Sequence, residues 1–446
     1  MENFLRTIGE KAVSLARKQG VQAEAFLLHD RELSIEVVNH QVETLKEAEE
    51  MGLGLRVINN GRLGFAYTSD LSTIAVKQAV ADAVSISKYT AADKHNTLPP
   101  AESYYPDLEI YDNRISRISI EDKMEMACQV EEAAKAVDKR ITIIERAGYE
   151  ENEYSSLIIN SNGLYAYSKG NFSGIYILLV AEDEQDAQSG FSVMLKKRIN
   201  ELKPGSVGEE GAKKAIRSLN ARTIKSERLP CIMEPYVAVG FMGMMAQMIN
   251  AEAVQKGKSL LADKKGQKVA AEVFTLIDDG TYKDGIGSFP YDGEGVAARR
   301  NLVIENGFLQ DFIYDTYTAN KAGVQSTGNG QRGSFRGLPS VGTTNFIIQP
   351  GSESPAKLIS ELNKGFYITG VMGMHTANPI SGDFSVGASG MMIENGKLSY
   401  PVRGVTIAGN MLDFLKDIDT MGNDLRFFGT RAAPTIRLKS LSISGE

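Results

Sequence analysis

Histidine and cysteine are scarce in this chain of 446 residues, which has four histidines, two cysteines and no tryptophan. The cysteines, Cys128 and Cys231, lie too far apart in sequence for a local metal knuckle, and two are too few for a secreted disulfide scaffold. No histidine is followed by glutamate, and no two histidines can share a helical face, so H-E-x-x-H and related zinc motifs are absent. These absences exclude a local zinc site, whereas one assembled from distant Asp, Glu and His residues stays open.

Long apolar runs and blocks of basic residues are missing as well. The longest nearly continuous apolar run, residues 236–246, is well short of the ~20 residues that span a bilayer. The first ten residues carry charges where a signal peptide has an apolar core, so we expect a cytoplasmic chain without membrane contact. The net charge of −7 comes from 49 basic and 56 acidic residues without a basic cluster, which argues against DNA or RNA as a direct ligand.

Glycine is distributed unevenly, with 14 residues before Arg228 and 29 after it. The segment 221–230 is polar and basic and ends in proline, which is typical of a domain linker. We therefore predict two domains, residues 1–220 and residues 221–446.

The hydrophobic pattern predicts an α+β fold. In the N-terminal domain, helical spacing alternates with strand pairs joined by turns such as Asn60-Gly61, which favours antiparallel strands. In the glycine-rich C-terminal domain, short strands between frequent turn signals predict a mainly antiparallel barrel- or sandwich-like sheet. One candidate helix there, residues 236–255, is apolar on nearly every face. We expect it to be buried in the core, with an adaptable methionine-rich binding surface as the alternative.

Two features of the C-terminal domain could carry chemistry. Residues 328–333, G-N-G-Q-R-G, match a dinucleotide-binding pattern by letter but lack the strand before and the helix after it, so we interpret them as a flexible surface loop. Acidic residues could supply a carboxylate pair for hydrolysis, although Asp beside Gly or Asn is usually a turn residue. The candidates are Asp278, Asp292, Asp315 and Asp383.

Residues 378–390, N-P-I-S-G-D-F-S-V-G-A-S-G, resemble the signature of the TldD/PmbA family. The resemblance continues downstream into two further stretches, and four upstream stretches fit the same pattern: residues 392–402 and 405–410, and residues 285–289, 292–296, 299–300 and 321–328. The N-terminal half matches more loosely. Proteins of this family often carry the label of DNA gyrase modulators, which the charge and motifs of this chain do not support.

The resemblance implies a two-part zinc metallopeptidase. TldD-type subunits carry H-E-x-x-x-H on a helix and a cysteine near the C-terminus, whereas TldE (PmbA)-type subunits lack these ligands and pair with TldD. In this chain the corresponding stretch, residues 243–250, reads G-M-M-A-Q-M-I-N, and residues 422–446 contain no cysteine. The resemblance therefore points to the TldE type. It implies no catalytic residue, no metal ligand and no cofactor in this chain, with zinc only in the partner.

From this resemblance we predict a non-catalytic subunit of a cytoplasmic zinc metallopeptidase complex that degrades unfolded peptides or processes peptide leaders. Its predicted partners are a TldD-type subunit and the peptide, and the expected peptide-binding residues are Gly382, Asp383, Phe384 and Ser385. Two alternatives remain: a self-contained hydrolase that uses the four aspartates, and a peptide-binding scaffold with no enzymatic partner. Self-association of the isolated chain stays open.

Overall fold

The computed structural model describes residues 1–445. The first part of the chain forms six strands: β1 (Gln22–Val38), β2 (Gln41–Asn59), β3 (Arg62–Thr68), β4 (Ile141–Asn160), β5 (Tyr165–Asp183) and β6 (Asp186–Lys196). They make one antiparallel sheet in the order β3-β2-β1-β4-β5-β6. The β2–β3 hairpin turns at Asn60 and Gly61, which both have positive φ, as the sequence predicts.

Four helices pack against this sheet: α1 (Glu2–Arg17), α2 (Thr73–Ser87), α3 (Ile120–Lys135) and α4 (Pro204–Arg217). The α3 helix begins where the Ser119 hydroxyl accepts a hydrogen bond from the Asp122 N–H at 3.1 Å. Odd-numbered residues of β1 such as Leu33 and Ile35 are buried under α3, because side chains alternate along a strand. The even-numbered residues therefore lie on the opposite face.

The rest of the chain contains many short strands. They are β7 (Glu227–Met233), β8 (Leu276–Asp279), β9 (Arg300–Glu305), β10 (Phe308–Leu309), β11 (Gly330–Gln331), β12 (Ser340–Val341), β13 (Phe346–Ile348), β14 (Lys364–Met372), β15 (Asp383–Glu394), β16 (Lys397–Asn410), β17 (Ile418–Met421), β18 (Arg426–Phe428), β19 (Arg431–Ala433) and β20 (Ile436–Ser444). Five helices connect them: α5 (Pro235–Ile249), α6 (Ala251–Gln255), α7 (Thr316–Ala322), α8 (Pro355–Ser360) and α9 (Met411–Asp417). Single 3-10 turns lie at Ile115–Arg117, Ile199–Glu201 and Met374–Thr376.

Five of these strands close into a barrel in the order β16-β15-β14-β7-β20. Residues 406–408 of β16 pair with residues 442–444 of β20 and complete the ring, while β17 pairs with β20. A second sheet has the order β10-β9-β8-β13-β19-β18, and β11 pairs with β12 alone. The fold is thus α+β with an antiparallel N-terminal sheet and a barrel in the C-terminal part, as predicted; the boundary between residues 220 and 221 stays a prediction.

The apolar helix is buried between the barrel and the second sheet. Helix α5 contacts barrel strands β7 and β14 as well as β18 and β19. It ends at Ile249 because Asn250 is extended and its side chain caps the separate helix α6, so the predicted single helix over 236–255 is two helices. Within residues 1–445 no helix has both the length and the apolar character that crossing a bilayer requires.

Candidate functional site

The predicted peptide-binding residues lie where the loop 373–382 leads into β15. The Asn378 carboxamide oxygen accepts hydrogen bonds from the N–H groups of Ile380 and Ser381, at 2.9 and 3.2 Å, and so shapes this loop. Gly382 has a φ of +80°, and a Cβ there would overlap Leu260. This position therefore requires glycine, and the turn that glycine permits directs the chain into the barrel.

Only two of the four predicted residues present their side chains to solvent. Asp383 and Ser385 are exposed, whereas Gly382 and Phe384 are buried. The Phe384 ring packs edge-on against Phe241 of α5, with ring centroids 5.2 Å apart. Phe384 thus belongs to the barrel core, and the side chains that could touch a ligand are those of Asp383 and Ser385.

This stretch of β15 has a strand neighbour on one side only. Residues 383–386 pair with β16, but pairing with β14 begins at Gly387, opposite Met372. The Asp383 carbonyl accepts a hydrogen bond from the Asn378 N–H, away from β16. Because backbone groups alternate in direction along a strand, the N–H and C=O of Ser385 also point away from β16. The otherwise closed barrel therefore has a short free edge at Ser385, beside the exposed Met372 side chain.

The residues that could hold a metal ion are widely separated. Within residues 1–445 no group of three or more His, Cys, Asp or Glu side chains is arranged to bind one. Cys231 lies on β7 in the barrel core, where burial raises the pKa of its thiol to about 12. A thiol held protonated in this way is a poor metal ligand and a poor nucleophile.

Three of the four candidate aspartates are buried and accept hydrogen bonds from their surroundings. The Asp278 carboxylate accepts bonds from the Asn329 side-chain amide at 2.7 Å and from the N–H and hydroxyl of Thr344. Asp292 accepts three backbone N–H bonds, including that of Gly330 at 2.8 Å, and Asp315 caps helix α7 through Thr318. Asp278 and Asp292 lie near each other, because they accept hydrogen bonds from the adjacent residues 329 and 330. Asp383 lies apart from them, exposed on β15.

The expectation of a flexible surface loop at residues 328–333 is wrong. Asn329 is fully buried, and the Arg332 side chain is 1% exposed. Gly330 lies so close to Asp292 and Glu294 that a Cβ would be 2.7 Å from a Glu294 carboxylate oxygen. The Asn329 and Arg332 side chains pair with the buried Asp278 and Glu24 carboxylates, and the local sequence pattern does not reveal these distant partners.

Arg332 belongs to a buried charge cluster that joins the N-terminal sheet to the C-terminal part. Arg56 on β2 donates to Glu24 on β1 at 2.7 Å and to Glu294 at 2.9 Å, and Arg332 forms an ion pair with Glu24. Burial lowers the pKa of Arg56, but the two carboxylates outweigh it and raise the pKa overall. We call these four residues the junction cluster.

Two buried carboxyl groups should make the chain less stable as the pH rises from 6 to 8. Burial raises the pKa of Asp278 to about 6, and burial together with Glu294 raises the pKa of Asp292 to about 8. In the unfolded chain both ionise near pH 4 (about 3.9 for a model aspartate). Between pH 6 and 8 the folded chain therefore holds more protons than the unfolded chain, so the free energy of unfolding falls with rising pH.

Urea unfolding of the wild type and of Asp292→Asn at pH 6, 7 and 8 measures this slope. The variant should be less stable overall, because its amide nitrogen cannot accept the Gly330 N–H, but its slope should be smaller. A wild-type free energy of unfolding that rises over this pH range would contradict the raised pKa values of the two aspartates. An equal pH dependence in both proteins would contradict the contribution of Asp292.

A cavity of about 220 Å³ lies between the even-numbered face of the N-terminal sheet and the C-terminal part. Four aromatic residues line it, and its charged lining residues are Asp30, Asp292 and Arg332. The aromatic residues are Phe26, Tyr154, Phe289 and Tyr291. Sequence reasoning missed this cavity because its walls come from segments more than a hundred residues apart.

Comparison with known proteins gives matches along nearly the whole chain. The models of PmbA/TldA metallopeptidase domain 1, central domain and C-terminal domain match residues 23–87, 113–219 and 226–445. A metalloprotease PmbA homologue from Haemophilus influenzae is 30% identical over 100% of this chain and 97% of its own length.

Two solved structures share the fold. A candidate modulator of DNA gyrase from Thermotoga maritima matches with a TM-score of 0.92 and 30% identity, over 98% of this chain and 100% of that one. TldE from Thermococcus kodakarensis matches with a TM-score of 0.87 and 25% identity, over 100% of both chains.

Proposed function

The chain belongs to the PmbA/TldD metallopeptidase family, and from this premise we propose that it is the non-catalytic subunit of a zinc metallopeptidase that acts on unfolded peptides or peptide leaders. In this proposal a TldD-type subunit supplies the zinc and the chemistry, and this chain contributes part of the wall of a shared peptide cleft. Helix α5 is the observation that carries the proposal.

The buried surface of helix α5 contains methionines rather than side chains that bind a metal ion. Met244, Met245 and Met248 are buried, and residues 243–250 include no histidine or glutamate. A catalytic zinc needs about three protein ligands together with a general base. A thioether packed in an apolar core supplies neither, so this helix supports the barrel rather than a reaction.

The surroundings of the aspartates argue against the self-contained hydrolase. Asp278, Asp292 and Asp315 are all buried. Each accepts hydrogen bonds that fix a turn, a strand neighbour or a helix start. A hydrolytic pair needs carboxyl groups that are free to take up and release a proton, whereas these three are engaged in structural hydrogen bonds.

A mixing experiment tests the proposed role. The isolated chain should leave a fluorescently labelled unfolded peptide intact, and adding the TldD-type subunit of the same organism should produce cleavage that a chelator abolishes. Chelator-insensitive cleavage by the isolated chain, lost in Asp383→Asn, would favour the hydrolase. Failure of the two subunits to copurify from native lysate would favour the scaffold.

The free edge at Ser385 supports a role in holding peptide. An extended peptide lying beside β15 would form its first backbone hydrogen bond with the Ser385 N–H, by β-augmentation. Replacing Ser385 with proline removes this donor, and because the N–H has no strand partner the barrel should remain intact. One such bond is worth about 0.5–1.5 kcal/mol, so the KM of the complex should rise about two- to twelvefold.

Ser385→Ala is the matched control, since it removes the hydroxyl and keeps the N–H. We expect its KM to equal that of the wild type. Equal KM values for Ser385→Pro and the wild type, measured on complexes with the same zinc content, would remove Ser385 from the peptide site.

A further inference from the structure

The cavity between the N-terminal sheet and the C-terminal part has walls that suit an organic cation. Phe26 and Tyr154 rise from neighbouring strands of the sheet, and Phe289 and Tyr291 face them from the C-terminal part. The Tyr154 and Phe289 rings pack against each other with centroids 5.4 Å apart. Aromatic faces carry partial negative charge and attract ammonium and guanidinium groups within about 6 Å.

Asp30 adds a carboxylate to this lining. It is half-buried, lies opposite Tyr154 in the β1–β4 pairing, and accepts a hydrogen bond from the Asn152 side-chain amide at 2.8 Å. Among residues 1–445 no Lys, Arg or His side chain forms an ion pair with it. Burial raises the pKa of Asp30, and the nearby Glu32 and Glu50 raise it further, so a cation at this position would relieve an unfavourable concentration of negative charge.

The other charges around the cavity are already paired or lie outside it. Arg332 donates to Glu24 and to the Gly293 carbonyl, and Glu50 forms an ion pair with Arg336. Lys197 is 1% exposed and approaches the Phe289 ring at 5.6 Å, but it does not line the cavity. Asp292 also lines the cavity, but its carboxyl group already accepts three backbone N–H bonds. Asp30 is therefore the lining carboxylate that is left to bind a ligand of opposite charge.

We propose that this cavity binds a primary ammonium group on a slender chain, with Asp30 as its counter-ion and the Tyr154 and Phe289 rings along its sides. A lysine side chain and the free amino end of a peptide both present this chemistry. The volume of about 220 Å³ holds one such side chain or terminal residue rather than a folded partner. This site is separate from the free edge at Ser385 and does not depend on the proposed subunit role.

Titration of the isolated full-length chain, followed by calorimetry or NMR, tests the site. The probes are N-acetyl-lysine methylamide, glycine methylamide, the neutral N-acetyl-norleucine methylamide and the anionic N-acetylglycine. We expect saturable binding of at least one ammonium probe, and preference for the first or the second identifies a side chain or an amino terminus as the source. Binding of the norleucine probe equal to that of the lysine probe, preference for N-acetylglycine, or no binding of either ammonium probe would overturn the proposal.

Two variants locate the binding. Asp30→Asn removes the charge of the side chain and keeps its shape. It should raise the Kd of the preferred ammonium probe at least tenfold. Asp413→Asn, at an exposed position in helix α9, is the matched control and should leave the Kd unchanged. Equal Kd values for Asp30→Asn and the wild type would also overturn the proposal, because the bound cation would then lie elsewhere.

Discussion

Replacing Arg56 with methionine should lower the free energy of unfolding by about 3–5 kcal/mol, since it leaves the buried Glu294 carboxylate without a counter-ion and Glu24 with Arg332 alone. Glu24 is 0% exposed and Glu294 is 1% exposed, and both currently accept hydrogen bonds from this guanidinium. Methionine fills similar space but donates no hydrogen bond. Water cannot reach the abandoned oxygens, so the full desolvation penalty falls on the folded state.

Urea unfolding near neutral pH measures this loss. Arg6→Met is the control, because Arg6 forms an exposed pair with Glu10 on α1 and its replacement should have no measurable effect. Adding Glu294→Gln to Arg56→Met should recover part of the loss, because Glu294 is the carboxylate left without a counter-ion while Glu24 keeps its ion pair with Arg332. If Arg56→Met were as stable as Arg6→Met, the junction cluster would not hold the two parts of the chain together.

Phe335→Ala should also lower the free energy of unfolding by about 3–5 kcal/mol, in this case because packing contacts are lost rather than a counter-ion. Phe335 follows the 328–333 stretch, is 0% exposed and packs against β2 at Gly52 and Gly54. The strand has glycine at 52 and 54 here, and a Cβ at Gly52 would overlap the Phe335 ring. Removing the ring therefore leaves a cavity at the junction that neighbouring side chains cannot fill.

Thermal unfolding and limited proteolysis together measure this effect. Phe335→Ala should unfold at a lower temperature and be cleaved faster between the two halves. Phe308→Ala is the control because Phe308 is 43% exposed on β10. Its unfolding temperature should fall much less than that of Phe335→Ala. An equal decrease in unfolding temperature for the two variants would show that Phe335 does not anchor the C-terminal part to the sheet.

The sequence predicted the local elements well because their causes are local. The predicted Asn60-Gly61 turn, for example, depends on two adjacent residues that both tolerate positive φ. The length of β4 was not predicted, since its polar stretch 150–153 interrupts the apolar pattern. That stretch remains a strand because its neighbours β1 and β5 supply hydrogen bonds on both sides.

The junction could not be predicted for a physical reason. Its charges come from positions 24, 56, 294 and 332, and only the folded chain brings them within hydrogen-bond distance. Arg332 also stands in a polar, glycine-containing stretch that is typical of an exposed loop. Of the predicted peptide-binding residues, Phe384 is recognisable as a core residue only once α5 lies beneath it. Burial of polar residues depends on distant partners, which a single sequence does not identify.

Zinc content tests the central claim most directly. Metal analysis should find no stoichiometric zinc in the purified chain and one zinc per complex with the TldD-type subunit. Replacing both histidines of the partner's H-E-x-x-x-H motif should remove that zinc, while the two subunits should still copurify. One tightly held zinc per molecule of the isolated chain would contradict the account.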